Sequence, residues 1–163
     1  MTDRLAIEML GEQDLLARID HAVRQLGHPQ VLFQMIGAQL ETNIQRRFDT
    51  KTAPDGTPWL PLADSTKARY AKLYKGNVPG SLLERTRQMR GSLTANATPD
   101  SVEVGFSRLT TNREHNIAAL HELGTRTMPR RQLLTDDPIT GTLGREDRED
   151  IQHLLQGFLD SLL

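Results

Sequence analysis

Leu93-Thr94-Ala95-Asn96-Ala97-Thr98-Pro99-Asp100-Ser101-Val102-Glu103-Val104-Gly105-Phe106 changes the rhythm of this chain. Before it, apolar residues recur every three or four positions; within it they recur every second one. Leu93, Ala95 and Ala97 alternate with polar residues, Thr98-Pro99-Asp100 carries turn chemistry, and Val102, Val104 and Phe106 alternate on the return. A period of two on both sides of a turn predicts a β-hairpin over about residues 93–106. The remaining strongly patterned segments have helical spacing. The fold class expected is therefore α+β, mostly helical around a small antiparallel sheet, with a long C-terminal helix.

On the N-terminal side, residues 4–10 alternate loosely and read as a short strand. Residues 12–26 read as a helix, with Leu15, Ile19, Ala22, Val23 and Leu26 at helical spacing and Gly27 as its stop. Pro29 suits the first turn of a second helix, in which Leu32, Ile36, Leu40, Ile44 and Phe48 repeat every four residues. Asp64-Ser65 is expected to cap a short helix running to Tyr74. Residues 75–81, with Gly76, Pro79 and Gly80, predict a mobile loop. Residues 82–93, with Leu82, Leu83, Met89 and Leu93 among three arginines, predict a short amphipathic helix.

Beyond the hairpin, residues 116–123 read as a helix stopped by Gly124. Residues 125–131 are basic and irregular around Pro129, and Asp137-Pro138, Gly141 and Gly144 mark a loop. The segment 145–163 carries an apolar stripe of Ile151, Leu154, Leu155, Phe158, Leu159 and Leu162. Its acidic start, Glu146, Asp147, Glu149 and Asp150, suits the positive end of a helix dipole.

A length of 163 residues predicts one domain, 1–163, with a core that needs no staples. The absence of cysteine excludes disulfides and thiol chemistry. No apolar run approaches the ~20 residues of a membrane span, and Met1-Thr2-Asp3-Arg4 does not begin a secretory signal. A soluble protein used without export and without membrane contact is expected. Net charge is −1 but unevenly distributed: residues 46–91 hold ten Lys/Arg against four Asp/Glu, and residues 136–150 hold two against six. Such a split suggests contact between copies as readily as a nucleic-acid surface. It also admits an alternative, a small nucleic-acid-binding regulatory protein using the basic 46–91 segment. The seven aromatic residues are not interleaved with the basic ones as a base-stacking platform requires.

The only tryptophan sits in Pro54-Asp55-Gly56-Thr57-Pro58-Trp59-Leu60-Pro61. Pro54-Asp55-Gly56 is a ready turn, and Pro58 and Pro61 keep the chain extended around the indole. The loop reads first as a plug over the core, with Trp59 clamped between the two prolines, and second as an assembly contact.

No enzyme signature is satisfied. His121-Glu122-Leu123-Gly124-Thr125 begins like a zinc-protease helix but has Thr where the second histidine must stand. There is no Gly-x-Ser-x-Gly elbow and no phosphate-binding Gly-x4-Gly-Lys-Ser/Thr loop. The expectation is a protein with no catalytic residues, cofactor or metal.

Four blocks, in order, resemble the phage virion-morphogenesis family, the tail-completion proteins of Mu-like phages. The first is Arg47-Phe48 followed by Asp55-Gly56-Thr57-Pro58-Trp59-Leu60-Pro61-Leu62; the second is Leu83 through Leu93 around Thr86 and Ser92. The third is Asp100-Ser101-Val102-Glu103-Val104-Gly105. The fourth is Ala119-Leu120-His121-Glu122-Leu123-Gly124 and then Met128-Pro129-Arg130-Arg131-Gln132-Leu133-Leu134. Arg87 stands where the family usually has Gly, Leu123 replaces an aromatic residue, and Thr135 replaces the common Gly after the last Leu.

The resemblance implies a structural component of the head–tail junction of the virion, assembled in the host cytoplasm, without enzymatic activity. Its implied partners are further copies of itself in a ring, possibly a hexamer, the connector, neck and tail-tube or terminator proteins, and genomic DNA passing through the lumen without specific binding. Residues 126–131, with Arg126, Arg130 and Arg131, are the interface candidates on one copy. The matching surface on the next is the helix start at Glu146, Asp147, Glu149 and Asp150, chosen from the charge split and from the planar pairing of Arg with carboxylates.

Overall fold

The structure, a computed structural model, describes residues 13–24, 29–76 and 82–161. The expected strand at 4–10, the residues Leu26, Gly27 and Leu162, and most of the expected mobile loop at 75–81 lie outside these. The described elements are α1 (Gln13–Arg24), α2 (Pro29–Thr50), α3 (Asp64–Leu73), β1 (Leu93–Ala97), β2 (Val102–Phe106), α4 (Ile117–Leu123) and α5 (Arg145–Asp160). The α+β class and the C-terminal helix are as the periodicities imply.

The long helix α2 is the organiser. Its four-residue stripe, Leu32, Ile36, Leu40, Ile44 and Phe48, is buried throughout. The N-terminal half packs with Leu15, Ile19 and Ala22 of α1 and Ile151 and Leu155 of α5; the C-terminal half joins a second cluster with Trp59, Met89, Phe106, Leu133 and Leu134. The expected hairpin packs on α2, with Leu93 opposite Phe106 and Ala97 opposite Val102. Gly37 permits the approach, since a Cβ there would stand 3.0 Å from both the Ala95 Cβ and the Val102 Cγ2.

Two expectations need correction. Residues 82–93 do not form a helix: Leu83 and Arg87 adopt φ of 65° and 55°, a left-handed conformation that breaks a right-handed helix at each point. Only a 3-10 turn at Arg90–Ser92 precedes β1. The segment is held by polar contacts, because the buried Glu84 carboxylate accepts from Lys51 Nζ at 2.7 Å and from Arg90 Nη1 at 2.8 Å. Secondly, α3 is capped by Ala63 without a side-chain bond, and Asp64 is already helical and pairs with Lys67. Pro58 and Pro61 are exposed, while the Trp59 ring meets Phe48 in the interior.

Candidate functional site

Trp59 is the plug of the second cluster. Its ring meets Phe48 edge to face with centroids 5.7 Å apart, and its Nε1 donates to the Gln132 carbonyl at 2.9 Å. The loop behind it is built as the sequence implies. Gly56 takes φ of 86°, and the Asp55 carboxylate accepts from the Thr57 amide at 2.7 Å. A lone tryptophan with both its ring and its N–H committed inside the fold is a structural residue.

His121 and Glu122 end α4, where Gly124 turns the chain with φ of 72°. The fully buried Glu122 carboxylate accepts from the amides of Leu133 (2.6 Å), Leu134 (3.1 Å) and Thr135 (2.9 Å), and from the Thr135 hydroxyl (2.7 Å). A carboxylate with this many donors fixes backbone geometry. The Thr at 135 therefore supplies a bond that glycine would lack. His121 Nδ1 is buried without a hydrogen-bond partner; burial and, secondarily, the charge of Arg131 push its pKa down to about 4. Among the described residues, no group of three His, Asp or Glu is placed to hold a metal ion.

The interface candidates divide between surface and interior. Arg131 is buried, donating through Nε to the Leu60 carbonyl at 2.8 Å and through Nη2 to that of Pro61 at 3.0 Å, which ties the Trp loop to the 127–131 turn. Asp147 is fully buried and pairs with Arg47. Asp150 faces α2, where it accepts from Gln39 and Asn43 at 3.2 and 2.9 Å. Arg131 and Asp147 are thus part of the chain's own interior. Arg126, Arg130, Glu146 and Glu149 remain exposed, although Arg130 also donates to the Glu122 carbonyl and Glu146 pairs with Arg46 at 2.8 Å.

The basic middle of the sequence is likewise partly consumed. Arg46, Arg47, Lys51, Lys67 and Arg90 all pair with carboxylates of the same chain. What remains concentrates along α3 and the segment after it, at the edge of a groove of about 520 Å³ that Arg69, Arg85, Arg108 and Arg131 line together with Leu62, Leu83, Met89 and Ile117. This groove is invisible in the sequence because its arginines are spread over more than sixty positions.

The described scaffold is fastened by buried polar ties around Glu122, Arg131 and the Arg47–Asp147 pair. The model of the Phage virion morphogenesis family matches residues 11–160, nearly the whole chain, and the protein belongs to that family. Searches of curated proteins and of solved structures found no match. The resemblance read from the four motif blocks is thereby shown at the level of the family, with the role in phage virion structure and assembly that the family describes. No described helix is long and apolar enough to cross a membrane.

Proposed function

We propose that this protein is a tail-completion component of the phage neck, of the Mu-like type, acting at the head–tail junction as a homo-oligomeric ring and not as an enzyme. The observation that carries the reading is the family match from residue 11 to residue 160, which spans α1 through α5. The whole chain, 1–163, acts as one domain. The ring docks connector and neck proteins on one side and tail-tube or terminator proteins on the other, and lets genomic DNA pass without gripping it. Arg126 and Arg130 of one copy face Glu146 and Glu149 of the next as a charged rim. Rim pairs of this kind contribute only about 0–1 kcal/mol each, so their effect comes from repetition around the ring.

The rival reading, a nucleic-acid-binding regulator using residues 46–91, is disfavoured by the internal pairing of half of that segment's basic residues. Phage lacking the protein should yield separate filled heads and tails, which join when purified protein is added. Intact virions from the deletion would refute the neck assignment. Tight binding to duplex DNA that falls steeply with salt would instead support the regulator.

A further inference from the structure

We propose that self-association is head to tail and anchored by Ile139, with the 136–142 loop of one copy seated in the arginine-rimmed groove of the next. The proposal rests on the self-association just described and adds the surfaces that meet. Ile139 is 88% exposed, the most exposed of the large apolar residues described. It is nevertheless held firmly. The Asp137 carboxylate accepts from the Ile139 amide at 2.9 Å. The Asp136 amide donates to the Thr142 carbonyl at 2.9 Å, and the Thr142 amide to that of Asp137 at 3.1 Å. Gly141, with φ of 67°, completes the turn. A preorganised tip loses little conformational entropy when it docks. The Ile139 N–H also holds the Asp137 carboxyl below the usual carboxylate range, so the isoleucine is presented beside a negative charge.

The groove is complementary to such a tip. Leu62, Leu83, Met89 and Ile117 give it apolar surface, the exposed Arg69, Arg85 and Arg108 line it beside the buried Arg131, and no carboxylate among the described residues does. Arg69 and Arg85 both lie over the Tyr70 ring, at 5.5 and 5.8 Å from its centroid. Neither they nor Arg108 form an ion pair with a described residue. A second cavity, of about 470 Å³ between α1, α2 and β2, is more apolar, but Asp20 and Asp100 line it and, among the described residues, no lysine or arginine does. It would repel Asp137. Charge therefore selects the arginine groove. No residue of 136–142 lines that groove, so each copy carries both halves of the contact. Repetition of such a heterologous contact generates a ring if the rotation closes.

The lack of cysteine makes the contact directly testable. Thr86, exposed at the groove, and Ile139 are replaced together by cysteine, and the protein is oxidised with copper phenanthroline. The double variant should give a ladder of covalent multimers on a non-reducing gel, while each single variant gives dimers at most. Separately, Ile139→Ser should weaken association in sedimentation by about tenfold to a hundredfold, with an unchanged melting temperature. If the unmodified protein associates but no ladder forms and Ile139→Ser associates normally, these surfaces are wrong and self-association stands. If the unmodified protein stays monomeric up to millimolar concentration and no ladder forms, both readings fall.

Discussion

Arg47, in the last turn of α2, and Asp147, in the first turn of α5, form an ion pair whose side chains are 3% and 0% exposed. The positions suit both helix dipoles, a cation at a C-terminus and an anion at an N-terminus. The pair is not isolated. Arg47 Nη1 also donates to the Leu133 carbonyl at 2.9 Å, and Asn43 Nδ2 donates to Asp147 Oδ1 at 2.9 Å. One network thus joins α2, α5 and the segment that Glu122 holds from the other side.

Breaking this pair on one side should be more damaging than removing it altogether. Arg47→Met or Asp147→Leu alone leaves a buried charge without its partner and is expected to cost about 3–5 kcal/mol. The double substitution should recover a substantial part of that loss. Urea denaturation of the three variants checks the ordering. A double variant no better than the worse single one would mean that Asn43 and Leu133, not the ion pair, dominate the network.

Trp59→Ala should destabilise by about 3–5 kcal/mol through the cavity it leaves beside Phe48. Trp59→Phe should cost less, because it keeps most of the ring volume and loses the bond to Gln132. The native indole should emit at short wavelength, and emission resembling free tryptophan in the monomer would contradict its burial.

The helices and the hairpin were legible because each buries one face, and burial writes a period into the sequence. The polar interior was less so. Asp147 was read as a surface acid because it opens a helix with three other acids, yet it stands four residues before Ile151 and eight before Leu155, on the buried stripe of α5. That spacing was the available signal. Glu122 similarly follows Ala118 by one turn on the buried side of α4. Residues 82–93 differ for another reason: leucines and arginines at plausible spacing do not reveal that Leu83 and Arg87 take left-handed φ. The groove arginines come from segments that only the tertiary fold brings together.

Arg87 takes φ of 55° and is exposed. A left-handed L-residue is strained by roughly 1–2 kcal/mol, and glycine relieves this at the cost of a more flexible unfolded chain. Arg87→Gly should therefore stabilise the protein by about 0.5–1 kcal/mol, read as a higher urea midpoint. A lower midpoint would show that the arginine makes a compensating contact.

Histidine 121 sets a pH dependence. With its pKa at about 4 in the fold and an ordinary value near 6.5 when unfolded, the imidazole is neutral in the native state. Between those values the unfolded chain binds the extra proton, so the stability present above pH ~6.5 falls as the pH drops towards 4. The loss approaches about 3 kcal/mol. His121→Gln should flatten this part of the profile. Asp136, which burial shifts upward, acts with the opposite sign but is common to both proteins and cancels in the difference. Parallel melting curves of the two proteins over this range would rule out His121 as the source.

Glu122→Gln tests whether the corner at residues 133–135 depends on charge or only on shape. Each carboxylate oxygen accepts two of the four bonds, so the glutamine side chain keeps one acceptor and turns a donor NH2 towards either the Leu133 and Leu134 amides or the Thr135 amide and hydroxyl. At least one buried donor loses its partner, and the expected cost is about 2–4 kcal/mol. The effect should be local before it is global: the amides of Leu133, Leu134 and Thr135 should exchange with solvent faster than those of the α2 core. The same corner positions Arg131, whose amide donates to the His121 carbonyl at 2.7 Å and whose side chain secures the Trp loop. Loosened exchange should therefore extend to the amides of Trp59 and Leu60. Uniform acceleration across α2 as well would mean that Glu122 supports the whole fold, and unchanged exchange at 133–135 would mean that shape alone suffices.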